Sequence, residues 1–353
     1  GLEAAADEDK AAAAAAVSAA VARTSPSAAR LVSQTQALGE AYIDLAALPA
    51  PRDAVRVGLP STLRRAAAAC VDLPPASRAL PVRPDADYSS APRFTGFGPA
   101  ARFVGGINRP KLVTVHASDG GSAKELVKAG QDDPRQDAVM QQAWCLVTAL
   151  LATDPAARAR ALRVRTYRVV PLSPGVGVLQ WVEDTATLHD ILVGPHSLGG
   201  GGGVHARHAP RSVPVPVEVA GGGGGGRASA PAPATTPRTI MKAPLSYLAA
   251  MRKMQAAASA PATVRPTYDA VCARFPPALR HWFAEAFRSP PAWHAARTAY
   301  TRSTAAASMA GYVIGLGDRH AHNILVDART AEVIHIDLGV AFEQGRFLNV
   351  PEV

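Results

Sequence analysis

The stretch that decides the reading is Gly315–Gly339, GLGDRHAHNILVDARTAEVIHIDLG. Two apolar runs, Ile324–Val326 and Val333–Ile336, flank a polar turn at Asp327–Thr330, which is the pattern of a β-hairpin. Closing that hairpin sets the entry residue Asn323 beside the exit residue Asp337. One amide oxygen and one carboxylate suit a hard cation such as Mg²⁺, which takes few protein oxygens and leaves positions for phosphate and water. Asp318 stands five residues before Asn323, in the order D-x-x-x-x-N. Phosphoryl-transfer enzymes use that spacing, with the Asp accepting a hydroxyl proton and the Asn and the later Asp holding metal. Gly315 and Gly317 before the motif and Gly339 after it make the combination far more specific than a surface turn with capping polar groups.

Upstream, Asp137–Leu151 reads as a helix, with Val139, Met140, Ala143, Leu146, Val147 and Leu150 at three- and four-residue steps. Short β-like runs precede it at Arg102–Val104, Lys111–His116 and Lys124–Lys128, the last two around the turn Ser118–Gly121. Arg163–Pro171 and Gly177–Val182 are further strand candidates, and Leu245–Ala258, Leu279–Phe287 and Trp293–Ile314 read as helices. The first ninety residues are rich in Ala, Leu and Arg, chopped by proline pairs, and read as a helical segment ending in an extended linker at Leu80–Ala91. Between Gly194 and about Pro237 two glycine runs and Val-Pro alternation predict a disordered, dispensable insertion. Two decoys are set aside. Gly96–Ala101 has a G-x-G-x-x-A form, but Pro99 and the following strand-like run deny it a helix N-terminus. His205 and His208 fall in the insertion, without evident acidic or Cys partners.

The 353 residues have 48% hydrophobic content, enough for a sizeable core, and contain no apolar run of membrane-spanning length. Three widely spaced cysteines argue against a disulfide scaffold or a Cys-based zinc site and for a reducing compartment. A net charge of +9 admits polyanionic partners, but spread over this length it is a weak pointer to nucleic acid.

The motif resembles the catalytic and metal-binding loops of the phosphatidylinositol-3-kinase-related protein kinases, in which the order is D-R-H. HIDLGVAFEQG (His335–Gly345) is similar in particular to the ataxia-telangiectasia-mutated (ATM) branch. The likeness extends over roughly Leu80–Val353 apart from the Gly-rich insertion. It is carried also by Gly105–Val113, Ser118–Gly120, Arg135–Gln142, Tyr167–Val182 and Ala299–His320. It implies an α+β, bilobal protein-kinase-like (PI3K/PI4K-type) catalytic domain. The small lobe would span 91–182 and the large lobe 183–353. The latter is expected to be C-terminally incomplete, since the chain stops within what would be the activation loop. Residues 1–90 would be the end of the helical repeats, the FAT region, that precede such domains.

The resemblance further implies Asp318 as catalytic base, His320 as stabiliser of the transferring phosphoryl group, and Asn323 and Asp337 as ligands of Mg²⁺ or Mn²⁺. Lys128 would hold the ATP phosphates, positioned by Asp137, with Ser118 in the turn over the nucleotide. Leu179, Gln180, Trp181 and Val182 would form the adenine hinge, and Leu325 and Ile336 the pocket floor. Two departures stand out: Lys128–Asp137 is one residue longer than the family's usual run, and Pro134 replaces an expected leucine. The implied activity is a nuclear, ATP-dependent Ser/Thr protein kinase acting on Ser/Thr-Gln sites in DNA-damage signalling. It would work with a DNA-break sensor complex, without membrane attachment and without direct DNA binding by this segment. The competing readings are a phosphoinositide lipid kinase, a non-catalytic binding fragment and a nucleic-acid-binding module. Against the first, VAFEQG (Val340–Gly345) holds an acid and reaches no base until Arg346, where a lipid headgroup would need basic residues.

Overall fold

The computed structural model describes residues 2–51, 53–70, 72–85, 87–105, 108–130, 133–194, 202–208, 210–216 and 239–348, with side chains from residue 12 onward. The chain divides into two compact units. The first comprises Gly1–Glu183, Ala306–Asp318 and Asp337–Val353; the second comprises Asp184–Ala305 and Arg319–Ile336.

The first unit opens with α1 (Leu2–Thr24) and α2 (Pro26–Ala47), then β1 (Arg56–Gly58) and α3 (Ser61–Ala69). The Ser25 hydroxyl accepts from the Ala28 amide and Pro26 opens α2, a combination that satisfies a free helix-end donor. Next come β2 (Phe94–Phe97), β3 (Ala100–Phe103), β4 (Lys111–Ala117), β5 (Ser122–Ala129), α4 (Pro134–Thr153), α5 (Pro155–Ala159), β6 (Val169–Ser173) and β7 (Val176–Gln180). The strands form one antiparallel sheet in the order β1-β3-β4-β5-β7-β6, with β2 also on β4. Leu38, Tyr42 and Leu45 on one stripe of α2 share a core with Val113, Val115 and Val127 of β4 and β5. The helical segment before residue 90 is therefore the cover of one sheet face. G-x-G-x-x-A runs from the end of β2 through its turn into β3, and Gly98 N–H in that turn donates to Thr114 O.

Helix α4 begins at Pro134, three residues before the start expected from periodicity, because Asp133 caps it by accepting from the Arg135 amide. The face expected to be buried is corrected as well: Val139, Leu146 and Leu150 are exposed, while Asp137, Met140, Gln141 and Trp144 are buried. Polar Asp137 and Gln141 belong to the inward stripe, which a purely apolar template passes over. Arg163–Pro171 is also shorter as a strand than expected, since β6 starts only at Val169.

The second unit holds β8 (Thr185–Thr187), α6 (Leu188–Leu192), α7 (Val204–Arg207), β9 (Val213–Pro216), β10 (Thr239–Lys242), α8 (Tyr247–Ala257), α9 (Pro261–Cys272) and α10 (Leu279–Ala286). Helix α11 (Pro290–Ile314) starts in the second unit and ends in the first, and β11 (Ile324–Asp327) pairs with β12 (Val333–His335) and β8. Ile191, Phe283, Phe287, Ala296 and Val326 form its main core. The last described element of the first unit is a 3₁₀ turn, Phe342–Phe347. No described helix is long and apolar enough to cross a membrane.

The expected disorder across Gly194–Pro237 does not hold where that stretch is described. Val204 is fully buried, the His205 ring stacks on Phe275 at 3.6 Å, and β9 pairs antiparallel with β10. Nor is His208 without an acid. Glu285 receives both its ring nitrogen and the Arg207 guanidinium, and these two contacts pull the Glu285 carboxyl down to about 2. A few anchoring side chains offset the ordering cost that composition suggests is unrecoverable. Residues 195–201 and 217–238, which include both glycine runs apart from Gly202 and Gly203, lie outside the described residues. Replacing Gly194–Pro237 by a short linker is therefore expected to lower the melting temperature by several degrees in a thermal unfolding scan.

Candidate active site

In the first unit the Lys128 ammonium lies 2.9 Å from Asp337 Oδ1. Lys128 sits on β5 opposite Gly177 of β7, and a side chain at Gly177 would meet Pro134 Cβ at 2.7 Å. The glycine lets the first turn of α4 close on the strand, which accommodates the proline found where a leucine is expected. Asp137, one turn into α4 and buried, accepts the Leu338 amide at 2.8 Å. Leu338 itself is fully buried among Met140, Trp144, Ala310 and Ala341. The I-D-L-G sequence thus inserts Leu338 into a core and leaves the preceding Asp337 carboxylate exposed toward Lys128.

Asp318 and Asp337 both adopt left-handed backbone, with φ of 56° and 57°. For a non-glycine residue this costs about 1 kcal/mol or more and persists where the surroundings over-determine it, as at functional sites. Asp318 follows Gly317, whose amide donates to Val340 O at 3.0 Å. Tyr167, which reasoning from motifs passed over, is buried here; burial and then the Asp137 charge push its phenol well above its ordinary value. Its own amide donates to Gln141 Oε1 at 3.0 Å. The signal was available, since Tyr167 opens the Tyr167–Val182 stretch.

The hinge candidates Leu179 and Gln180 end β7, followed by Trp181 and Val182. Gln180 N–H donates to Arg168 O at 2.8 Å and Trp181 N–H to Lys124 O at 3.0 Å, so both amides are committed to the protein. Leu179 is buried and Trp181 half-buried. The Ser118 hydroxyl accepts the Arg93 amide at 2.9 Å, tying the β4–β5 turn to the chain entering β2.

In the second unit β11 and β12 form the expected hairpin, with Leu325 opposite Ile334. Ile336 N–H donates to Asn323 O at 3.0 Å and closes its open end. Asn323 is buried, and its amide donates to His320 O at 2.9 Å. His320 is exposed and accepts the His322 amide at Nδ1, 3.2 Å away, which assigns a neutral ring's proton to Nε2. His322 stacks on the buried His189 at 3.9 Å, and His189 N–H donates to Ala321 O at 3.0 Å. His189 thus pins the loop carrying His320 and Asn323. No spacing in the sequence signalled that role. Leu325 and Ile336 are half-buried, with side chains on the same hairpin.

His335 on β12 is pushed down to about 4, by burial first and the Arg319 guanidinium second. Its folded value is below the unfolded one of about 6.5, so the unfolded chain takes up the proton first as pH falls. The penalty is absent above about pH 7 and grows to about 3 kcal/mol by pH 4. Urea titrations at pH 7 and pH 4.5 are expected to show this loss of stability, and His335→Gln to reduce it.

Among the described residues no three His, Cys, Asp or Glu side chains gather as a metal site. The side chains of Asp337 and Asn323 each offer a hard oxygen donor, the kind that Mg²⁺ takes.

A family profile described as phosphatidylinositol 3- and 4-kinase matches residues 124–353. The chain belongs to that family. Its α+β fold is that of the bilobal PI3K/PI4K-type kinase domain. It is similar to the serine/threonine-protein kinase tel1 of Neurospora crassa, 38% identical over 80% of this chain and 8% of the relative. It resembles the serine/threonine-protein kinase ATM of Arabidopsis thaliana at 38% over 91% of this chain and 7% of that protein. The serine-protein kinase ATM of Sus scrofa is 34% identical over 92% of this chain and 10% of the relative. Among solved structures, the FAT and kinase domain of CtTel1 superposes with a TM-score of 0.79 at 32% identity, covering 96% of this chain and 22% of that one. The complete CtTel1 dimer with C2 symmetry gives 0.79 at 32%, covering 96% and 12%. The chain therefore spans about a tenth or less of the length of these curated relatives.

Proposed function

We propose that this chain is the nucleotide-binding and catalytic portion of an ATP-dependent serine/threonine protein kinase of the ATM type. The observation that carries the reading is the Lys128–Asp337 pair at 2.9 Å, an ammonium and an exposed carboxylate where one triphosphate and its metal need both. Lys128 holds phosphate oxygens as a compact point charge, and Asp137 fixes the Asp337 segment through the Leu338 amide. Asp337 and Asn323 supply the oxygens for Mg²⁺ or Mn²⁺, which when bound neutralises the triphosphate's charge. Asp318 takes the proton of the attacking hydroxyl, and His320 donates from Nε2 toward the transferring group. Leu179–Val182 carry the adenine, over Leu325 and Ile336, with Ser118 in the turn above the phosphates.

The whole protein would act in the nucleus on Ser/Thr-Gln sites in DNA-damage signalling, alongside a DNA-break sensor complex. Protein rather than lipid as acceptor is supported by the relatives' names and by Glu343, which pairs with Arg346 at 3.7 Å in the segment where a lipid kinase needs free bases. The test is phosphoryl transfer from Mg-ATP by the full-length protein to a Ser-Gln peptide, a Ser-Ala control and phosphatidylinositol vesicles. Transfer to the first alone is expected. Transfer to the vesicles alone would overturn the acceptor assignment.

A further inference from the structure

Glu125 is a fully buried carboxylate with no part in the chemistry above. Its Oε2 accepts from the Tyr42 hydroxyl of α2, and its Oε1 from the Ser77 amide at 2.8 Å. Burial first, and the Glu125 charge second, push the Tyr42 phenol well above its ordinary value, so it remains a donor. Holding a carboxylate in a core with neutral donors costs several kcal/mol of desolvation that a leucine would avoid. Such a group is better explained by the position it fixes than by the stability it adds.

What it fixes is β5. Alternation along the strand turns Glu125 and Val127 toward the α2 core, and Lys124 and Lys128 toward the opposite face. On that opposite face Lys124 pairs with Glu183 at 2.8 Å, its carbonyl accepts the Trp181 amide, and Lys128 reaches Asp337. A slip of one residue would exchange the two faces. Tyr42 and Ser77 hold the strand from two separate chain segments, and the neighbouring strand has its own tie, Lys111 Nζ to Ala46 O at 2.6 Å.

We infer that the Tyr42–Glu125–Ser77 cluster is a brace through which the helical segment ahead of the sheet positions Lys128 for nucleotide. Tyr42 and Glu125 are thus positioning residues of the reaction. The inference rests on the assignment of Lys128 to the phosphates.

The test is a double-mutant cycle on the 353-residue chain, with Mg-ATP affinity measured by calorimetric titration and thermal unfolding followed without nucleotide. Tyr42→Phe is expected to weaken Mg-ATP binding five- to tenfold in the wild-type background and less than twofold in Lys128→Ala. Glu125→Gln, which keeps an acceptor for the Ser77 amide, is expected to give the same pattern at about threefold, and it carries the test if Tyr42→Phe does not fold. Equal losses in both backgrounds, or a lowered melting temperature with unchanged affinity, would overturn the brace and leave the Lys128 assignment standing. Failure of the wild-type chain to bind Mg-ATP would overturn the assignment and the brace with it.

Discussion

Asp318→Asn in the full-length protein is expected to lower phosphoryl transfer about 10³-fold while changing Mg-ATP affinity by less than about twofold. The residue occupies a left-handed turn after Gly317, is half-buried, and is assigned to the substrate hydroxyl. Replacing its carboxylate by an amide removes the proton acceptor and leaves the phosphate-binding groups in place. Asp337→Asn should behave differently. Its Oδ1 faces the Lys128 ammonium, so the change removes the carboxylate proposed to hold the metal and also takes that counter-charge from Lys128. Mg-ATP affinity is expected to fall at least about tenfold, together with the rate. Rates and nucleotide affinities for the two variants, measured side by side, separate the roles. Loss of binding in Asp318→Asn with near-normal binding in Asp337→Asn would reverse the assignment.

The second large effect is on folding. Gly315 has φ +62°, and a Cβ placed on it would lie 2.5 Å from the Phe342 carbonyl oxygen. Valine there combines a backbone region that β-branched residues avoid with a clash against main chain, which cannot yield as a flexible side chain would. Gly315→Val is expected to destabilise the chain by about 2–5 kcal/mol, the sum of about 1–2 for the left-handed backbone and about 1–3 for overpacking. The same turn delivers the chain from α11 to Asp318, so activity should fall further than the folded fraction does. Urea unfolding with a folded-state activity correction checks both parts. An alanine or valine variant as stable as wild type would show that the Phe342 segment moves aside.

The β11–β12 hairpin was legible because two short apolar runs and a polar turn admit few arrangements, and Ile336 N–H meets Asn323 O at its open end. Lys128 came from the family likeness; spacing did not supply it, because a strand-end lysine is chemically ordinary until Asp337 faces it. The buried side of α4 was misread because Asp137 and Gln141 point inward with hydrogen-bonding tasks that hydrophobic periodicity cannot register. Helix α9 escaped notice because Pro266 lies inside it, and an internal proline ordinarily argues for a break. The order of Val204–Arg207 was hidden in a glycine-rich context, since its anchors Phe275 and Glu285 lie about 70–80 residues away in sequence. Tyr42 and Glu125 share the same difficulty, being 83 residues apart. Long-range polar pairs leave no local period to read.

The measurement that bears most directly on the whole account is ATP binding by the 353-residue chain with and without Mg²⁺, for wild type and for Lys128→Ala. The account predicts saturable binding that strengthens severalfold or more on adding Mg²⁺ and falls at least tenfold when Lys128 is removed. Absence of binding, or binding indifferent to both Mg²⁺ and Lys128, would contradict it.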